Sequence, residues 1–152
     1  MAAMTLSGAI HIAAAVMSVL FGVRVFLSKK GTLDHRHLGW MYLFAMAFVN
    51  GAALLTFEDS KDGFGIFHYL ALLSLATISI AAVAGRKIRT NRSYVWPHAY
   101  IMSWSYAGLL AAAVGQAAAA LELGVGLSVT MSLLIAGVII HTLVRSAVQK
   151  AN

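Results

Sequence analysis

Long apolar stretches separated by short clusters of charge set the pattern of this chain. Five stand out: residues 5–27, 38–57, 64–85, 97–121 and 125–144. The third, FGIFHYLALLSLATISIAAVAG, holds no charge and one histidine, His68, near its start. About 20 apolar residues suffice for a helix to cross ~30 Å of hydrocarbon. In lipid every backbone polar group must be satisfied within the segment, so each stretch predicts a helix. The stretches are continuous rather than alternating, which argues against a barrel. The expected fold is all-α: one domain over residues 1–152, an integral membrane bundle of five transmembrane helices.

Composition agrees. Of the residues, 61% are hydrophobic and 11% charged, against about 25% charged in a soluble domain. A water-soluble fold so poor in charge would expose large apolar patches. There is no cysteine, which excludes thiolate metal sites, disulfides and covalent haem attachment. The first stretch is too long for a signal peptide, lacks a basic start and has no cleavage signal, so it is expected in the mature protein.

The connections predict orientation. The first carries Lys29, Lys30 and Arg36, and the third Arg86, Lys87, Arg89 and Arg92. Arg145 and Lys150 follow the last stretch. The second connection carries Glu58, Asp59, Lys61 and Asp62, and the fourth only Glu122. Basic connections face the cytoplasm, so the N-terminus is expected outside and the C-terminus inside, in a bacterial inner membrane. The net charge of +6 thus serves orientation and anionic lipid, and nucleic acid is not an expected partner. Thr32 or Asp34 can cap the second helix. Pro97 suits the first helical position of the fourth. Tyr94, Trp96, Tyr100 and Trp104 surround that start as an interfacial belt would.

Three segments carry a resemblance: KGTLDHRHLGW from Lys30, FGIFHYLALLSLATI from Phe64 and HAYIMSWSYAGLL from His98. Together they resemble the bacterial integral-membrane family catalogued as domain of unknown function 2306. That family has a KGT-x-x-HR-x-LG helix start, an F-x-x-x-H-x-LALL start, a basic loop and then H-x-x-x-M-x-x-x-Y. The resemblance covers residues 31–110 and places the family's histidines on His35, His68 and His98. Ala99 stands where the family usually has arginine. The resemblance implies a multi-span membrane protein and no particular reaction.

Ionisable groups inside spans are functional candidates. At ~1.5 Å per residue, His11 lies about 9 Å and His68 about 6 Å below the outer edge. They form an outer level. His35 or His37, His98 and His141 form an inner one. Imidazole binds haem iron, zinc and copper. Without cysteine the most economical cofactor is haem b held by two histidines from facing helices. Gly8, Ala15, Ser18 and Gly22 leave room for a flat macrocycle beside His11. Two haems would stand roughly 15–20 Å apart within the ~30 Å core. The leading expectation is a small b-type electron carrier, with quinone or another redox protein as partner. Histidines coordinating zinc or copper, or relaying protons past Asn50 and Gln116, are the second expectation. An accessory subunit of a larger membrane complex, with no cofactor of its own, is the third; a homo-oligomer with no other partner would argue against it.

Each candidate also has a plain structural reading. His35 and His37 flank Arg36 at an interface, and two residues apart they cannot face one site. His98 can cap or snorkel, and His68 can pair with Glu58 or Asp59. His11 and His141 can hydrogen-bond a neighbouring helix. Asn50 and Gln116 suit interhelical hydrogen bonding. Asp34 can orient His35 or share its proton. No nucleophile elbow, phosphate loop or HExxH motif is present.

Overall fold

The computed structural model describes residues 6–55 and 66–149. It has five long helices: α1 (Leu6–Leu27), α2 (Leu33–Leu54), α3 (Ile66–Lys87), α4 (Val95–Ala120) and α5 (Val125–Gln149). A single 3-10 turn, Arg92–Tyr94, leads into α4. Among the described residues there is no strand. Four segments are long and apolar enough to cross a membrane: Gly8–Leu27, Leu33–Leu54, His68–Lys87 and Val125–Ser146. At 26 residues α4 has the length, about 39 Å. Its first half, however, carries Trp96, Pro97, His98, Tyr100, Ser103, Trp104, Ser105 and Tyr106, which dilutes its hydropathy. The acidic connection at residues 58–62 and the tail at Lys150 lie outside the described residues.

Two compact units divide within α3: Met1–Ala76 and Thr77–Asn152. In the first, α1 and α2 pack together as an antiparallel hairpin. His11 is level with Val49, and Ser28 with His35. The turn is closed by chemistry rather than by length. The ammonium of Lys30 donates to the carbonyls of Val25 (2.7 Å) and Phe26 (2.9 Å), two of the four that the end of α1 leaves unsatisfied. Gly31 takes φ +80°, a conformation that costs glycine little. Thr32, rather than Asp34, caps α2: its hydroxyl accepts from the His35 N–H at 3.2 Å. That cap draws Asp34, His35, Arg36 and His37 into the helix, so α2 begins at Leu33 and not at 38. Tyr42 (2% exposed) and Ser18 (0%) are the largest fully buried side chains among the described residues. They share a level in the hairpin register, so the small residues of α1 serve close packing there.

In the second unit α4 and α5 pack together. Asn91 caps the 3-10 turn by accepting from the Ser93 N–H at 2.9 Å, and α4 starts two residues before Pro97. Proline in a first turn forfeits no intrahelical bond. Close approach of the helices rests on glycine. A Cβ on Gly115 would stand 2.8 Å from Val129 Cγ2, and one on Gly137 3.3 Å from Trp104. The link between the helices is a Schellman turn. Leu123 N–H donates to the Ala118 carbonyl at 2.8 Å and Glu122 N–H to that of Ala119 at 3.1 Å.

Large apolar side chains cover the outside, among them Phe44, Phe48, Leu73, Leu134 and Val138. Such a surface suits hydrocarbon and would aggregate in water.

Candidate functional site

Histidine placement is the informative chemistry. In the second unit, His98 near the start of α4 lies with Nδ1 2.8 Å from the carbonyl oxygen of Ala81 on α3. A carbonyl only accepts, so Nδ1 carries the proton and Nε2 of the neutral ring carries the lone pair. Gly85, one turn beyond Ala81, makes the approach possible. A Cβ there would stand 2.9 Å from His98 Nδ1 and Cε1. The imidazole is thus laid against bare α3 backbone.

The first unit repeats the arrangement. His11 Nδ1 lies 3.2 Å from the carbonyl oxygen of Val49, which fixes the same tautomer. His35 Nδ1 lies 3.1 Å from the Ser28 hydroxyl. That hydroxyl gives its single proton to the Val25 carbonyl at 2.8 Å, so the imidazole N–H must donate. His35 is therefore oriented by Ser28; Asp34 beside it is exposed. Three histidines have Nδ1 as the donor, each with a partner on a different helix or turn. A ligating histidine commonly gives its other N–H to a carbonyl or similar acceptor, which sets tautomer and ring orientation.

The other candidates fall elsewhere. His68 is buried at 3% exposure in the first turn of α3. Asn50 is buried and uses both amide hydrogens, one to the Met46 carbonyl (2.7 Å) and one to Ser74 Oγ (3.0 Å). His11, Asn50 and Ser74 thereby form a polar level drawn from α1, α2 and α3, since Val49 and Asn50 are neighbours. Ser74 is six residues beyond His68, about 9 Å along α3. His37, Gln116 and His141 are exposed. His141 lines a recess on the second unit together with Arg145, Trp96 and Tyr100. Among the described residues no three or more His, Cys, Asp or Glu side chains gather to hold a metal ion.

Sequence reasoning missed Gly85, Ser28 and Ser74. Gly85 left a trace, a glycine four residues after the accepting carbonyl and so on the same face of α3. Ser28 and Ser74 left none, because serine is common in both turns and spans.

A family model described as "Predicted membrane protein (DUF2306)" matches residues 8–148. The match extends beyond the three motifs in both directions and takes in His11 and His141. No curated protein and no solved structure matches the chain.

Proposed function

The chain belongs to that family of predicted membrane proteins, and from this premise we propose a five-span electron carrier of the bacterial inner membrane that binds haem b through histidine. The N-terminus lies outside and the C-terminus inside. Basic connections on one side and acidic ones on the other support that orientation. The observation that carries the haem reading is the pair of carbonyl-held imidazoles. His98 and His11 each commit Nδ1–H to a neighbouring helix, and each keeps an Nε2 lone pair suited to iron.

Haem is favoured over a bare metal by donor number. Zinc needs three or four protein ligands, whereas a haem brings four ring nitrogens and asks the protein for one or two axial imidazoles. His98 would hold one such group at the inner level and His11 a second at the outer level. The group supplies one-electron redox chemistry at iron, and the protein contributes ring orientation, ligand tautomer and exclusion of water.

The test is an absorption spectrum of protein purified from haem-sufficient cells. A Soret band that shifts on reduction is expected. His98→Asn keeps an N–H for the Ala81 carbonyl but removes Nε2. It should alter the band at unchanged helix content. A colourless wild-type protein without iron by elemental analysis ends the haem reading.

One observation favours a second reading, proton transfer. The polar level of His11, Asn50 and Ser74 places exchangeable protons within an apolar unit. Proton uptake by liposomes containing the protein, lost in His11→Ala, would support it in an iron-free preparation.

A further inference from the structure

On one face of α4 the residues Trp96, Tyr100 and Trp104 follow one another at helical spacing. Trp96 stacks on Tyr100 with ring centroids 4.8 Å apart and planes at 11°, and Tyr100 meets Trp104 edge-on at 6.3 Å. On the facing helix α5, Gly137, His141 and Arg145 repeat the same spacing. The contact of Trp104 with Gly137 fixes the antiparallel register. Tyr100 is then level with His141 and Trp96 with Arg145. The lower pairs do not close on each other. Between them is a recess of about 240 Å³ lined by Trp96, Tyr100, His141 and Arg145.

The lining is rich in donors. Guanidinium, indole N–H, phenol O–H and imidazole N–H all offer hydrogen, and the guanidinium offers no acceptor at all. Among the described residues of this unit no carboxylate is at hand to balance it. Glu122 is the only acidic residue in positions 77–152. It sits at the other end of the hairpin, before α5 begins, about 30 Å from Arg145 at 1.5 Å per residue. A full cation in a donor-lined recess calls for an anion with several oxygens from outside the unit.

Position narrows the anion. Arg145 is the penultimate residue of the apolar segment Val125–Ser146, so the recess opens where hydrocarbon gives way to headgroups. Tryptophan and tyrosine favour that depth, and arginine matches phosphate oxygens in a fork.

We propose that Trp96, Tyr100, His141 and Arg145 form a binding site for a phosphate group, with an anionic phospholipid headgroup as its occupant. Arg145 pairs with the phosphate oxygens. His141 donates beside it, and the Trp96–Tyr100 stack forms the wall against the glycerol. The site requires membrane embedding and does not depend on haem, so either proposal can fail alone.

The test uses the full chain in bilayer discs of phosphatidylcholine and phosphatidylglycerol in equal parts. The lipid retained after transfer to mild detergent is read by native mass spectrometry. Wild type should retain phosphatidylglycerol over phosphatidylcholine. Arg145→Gln should lower that preference about tenfold, the scale of one lost charge-assisted contact. Arg145→Lys, which keeps the charge without the fork, should fall between. Arg89→Gln removes a basic residue from the exposed turn between α3 and α4 and should leave retention unchanged. Arg145 is exposed, so its replacement should preserve helix content and elution volume. Inorganic phosphate that binds wild type but not Arg145→Gln, without phosphatidylglycerol preference, supports the phosphate site with a soluble occupant. Equal phosphatidylglycerol retention in wild type and Arg145→Gln overturns the proposal. So does an equal loss in Arg89→Gln, which would mark a general charge effect.

Discussion

The Nδ1 of His98 lies 2.8 Å from the carbonyl oxygen of Ala81, and Gly85 is the reason it can. Glycine within a helix costs about 1 kcal/mol relative to alanine. Here it gives the imidazole its place against α3. Gly85→Ala should therefore destabilise, contrary to helix propensity. The new methyl would stand 2.9 Å from the ring, and the ring is not free to swing away without losing its hydrogen bond. A loss of about 1–2 kcal/mol is expected, with a change in the His98 tautomer signal in nitrogen NMR. A stabilised Gly85→Ala protein with an unaltered His98 signal would remove the basis for a held ligand.

Asn50 and Ser74 should be energetically coupled. Asn50 is 6% exposed, and its bond to Ser74 joins α2 to α3. Hydrogen bonds between membrane helices average about 0.6 kcal/mol and reach about 1.7 in double-mutant cycles. The Asn50→Leu and Ser74→Ala cycle, measured by unfolding in mixed detergent, should give a coupling in that range. Strict additivity would show that the contact contributes nothing.

The helices were legible in the sequence and their faces were not, for one physical reason. Charge-free runs reveal a span because lipid forbids an unpaired backbone. In water, the polar side of a helix also reveals which side is buried. In lipid the outward face is as apolar as the inward one, so that periodic signal disappears. Depth placed His141 and Gln116 inside spans, but depth says nothing of azimuth, and both are exposed. The partners of His98 and His11 are main-chain carbonyls, which every residue possesses and no motif records. Element ends moved where capping outweighed composition. Thr32 starts α2 ahead of a polar DHRH run, and Asn91 starts the turn into α4 ahead of proline.

Lys30 should show a pH-dependent role at the α1–α2 turn. Its ammonium is tucked against the last carbonyls of α1 and lies 5.7 Å from the centre of the Phe26 ring. This desolvation holds its pKa below the ordinary lysine value. With the folded value the lower one, the unfolded chain binds more protons between the two values. Stability should therefore rise with pH across that alkaline window, because a neutral amine still donates to both carbonyls. Below the window, both states are protonated and the dependence vanishes. Carbon NMR of labelled lysine should find Lys30 titrating early. Lys30→Met should cost about 1 kcal/mol at neutral pH and abolish the alkaline rise.

Glu122 occupies the position of the α4–α5 turn that glycine usually takes. Its φ is +56°, in the left-handed region that penalises a side chain by about 1–2 kcal/mol. Its charge also sits at the C-terminal end of α4, where a negative group is unfavourable. Glu122→Gly should remove both costs at the expense of a more flexible unfolded chain, for a net gain of about 0.5–1 kcal/mol in detergent unfolding. Orientation should stay unchanged, because lysine and arginine bias sets topology and acidic residues contribute little. The chain holds no cysteine, so a single cysteine placed at Gly124, exposed in this turn, reports its side by reaction with an impermeant thiol reagent. A stabilised variant labelled from the same side as the parent fits both arguments. A reversed side would show that this lone carboxylate helps direct insertion.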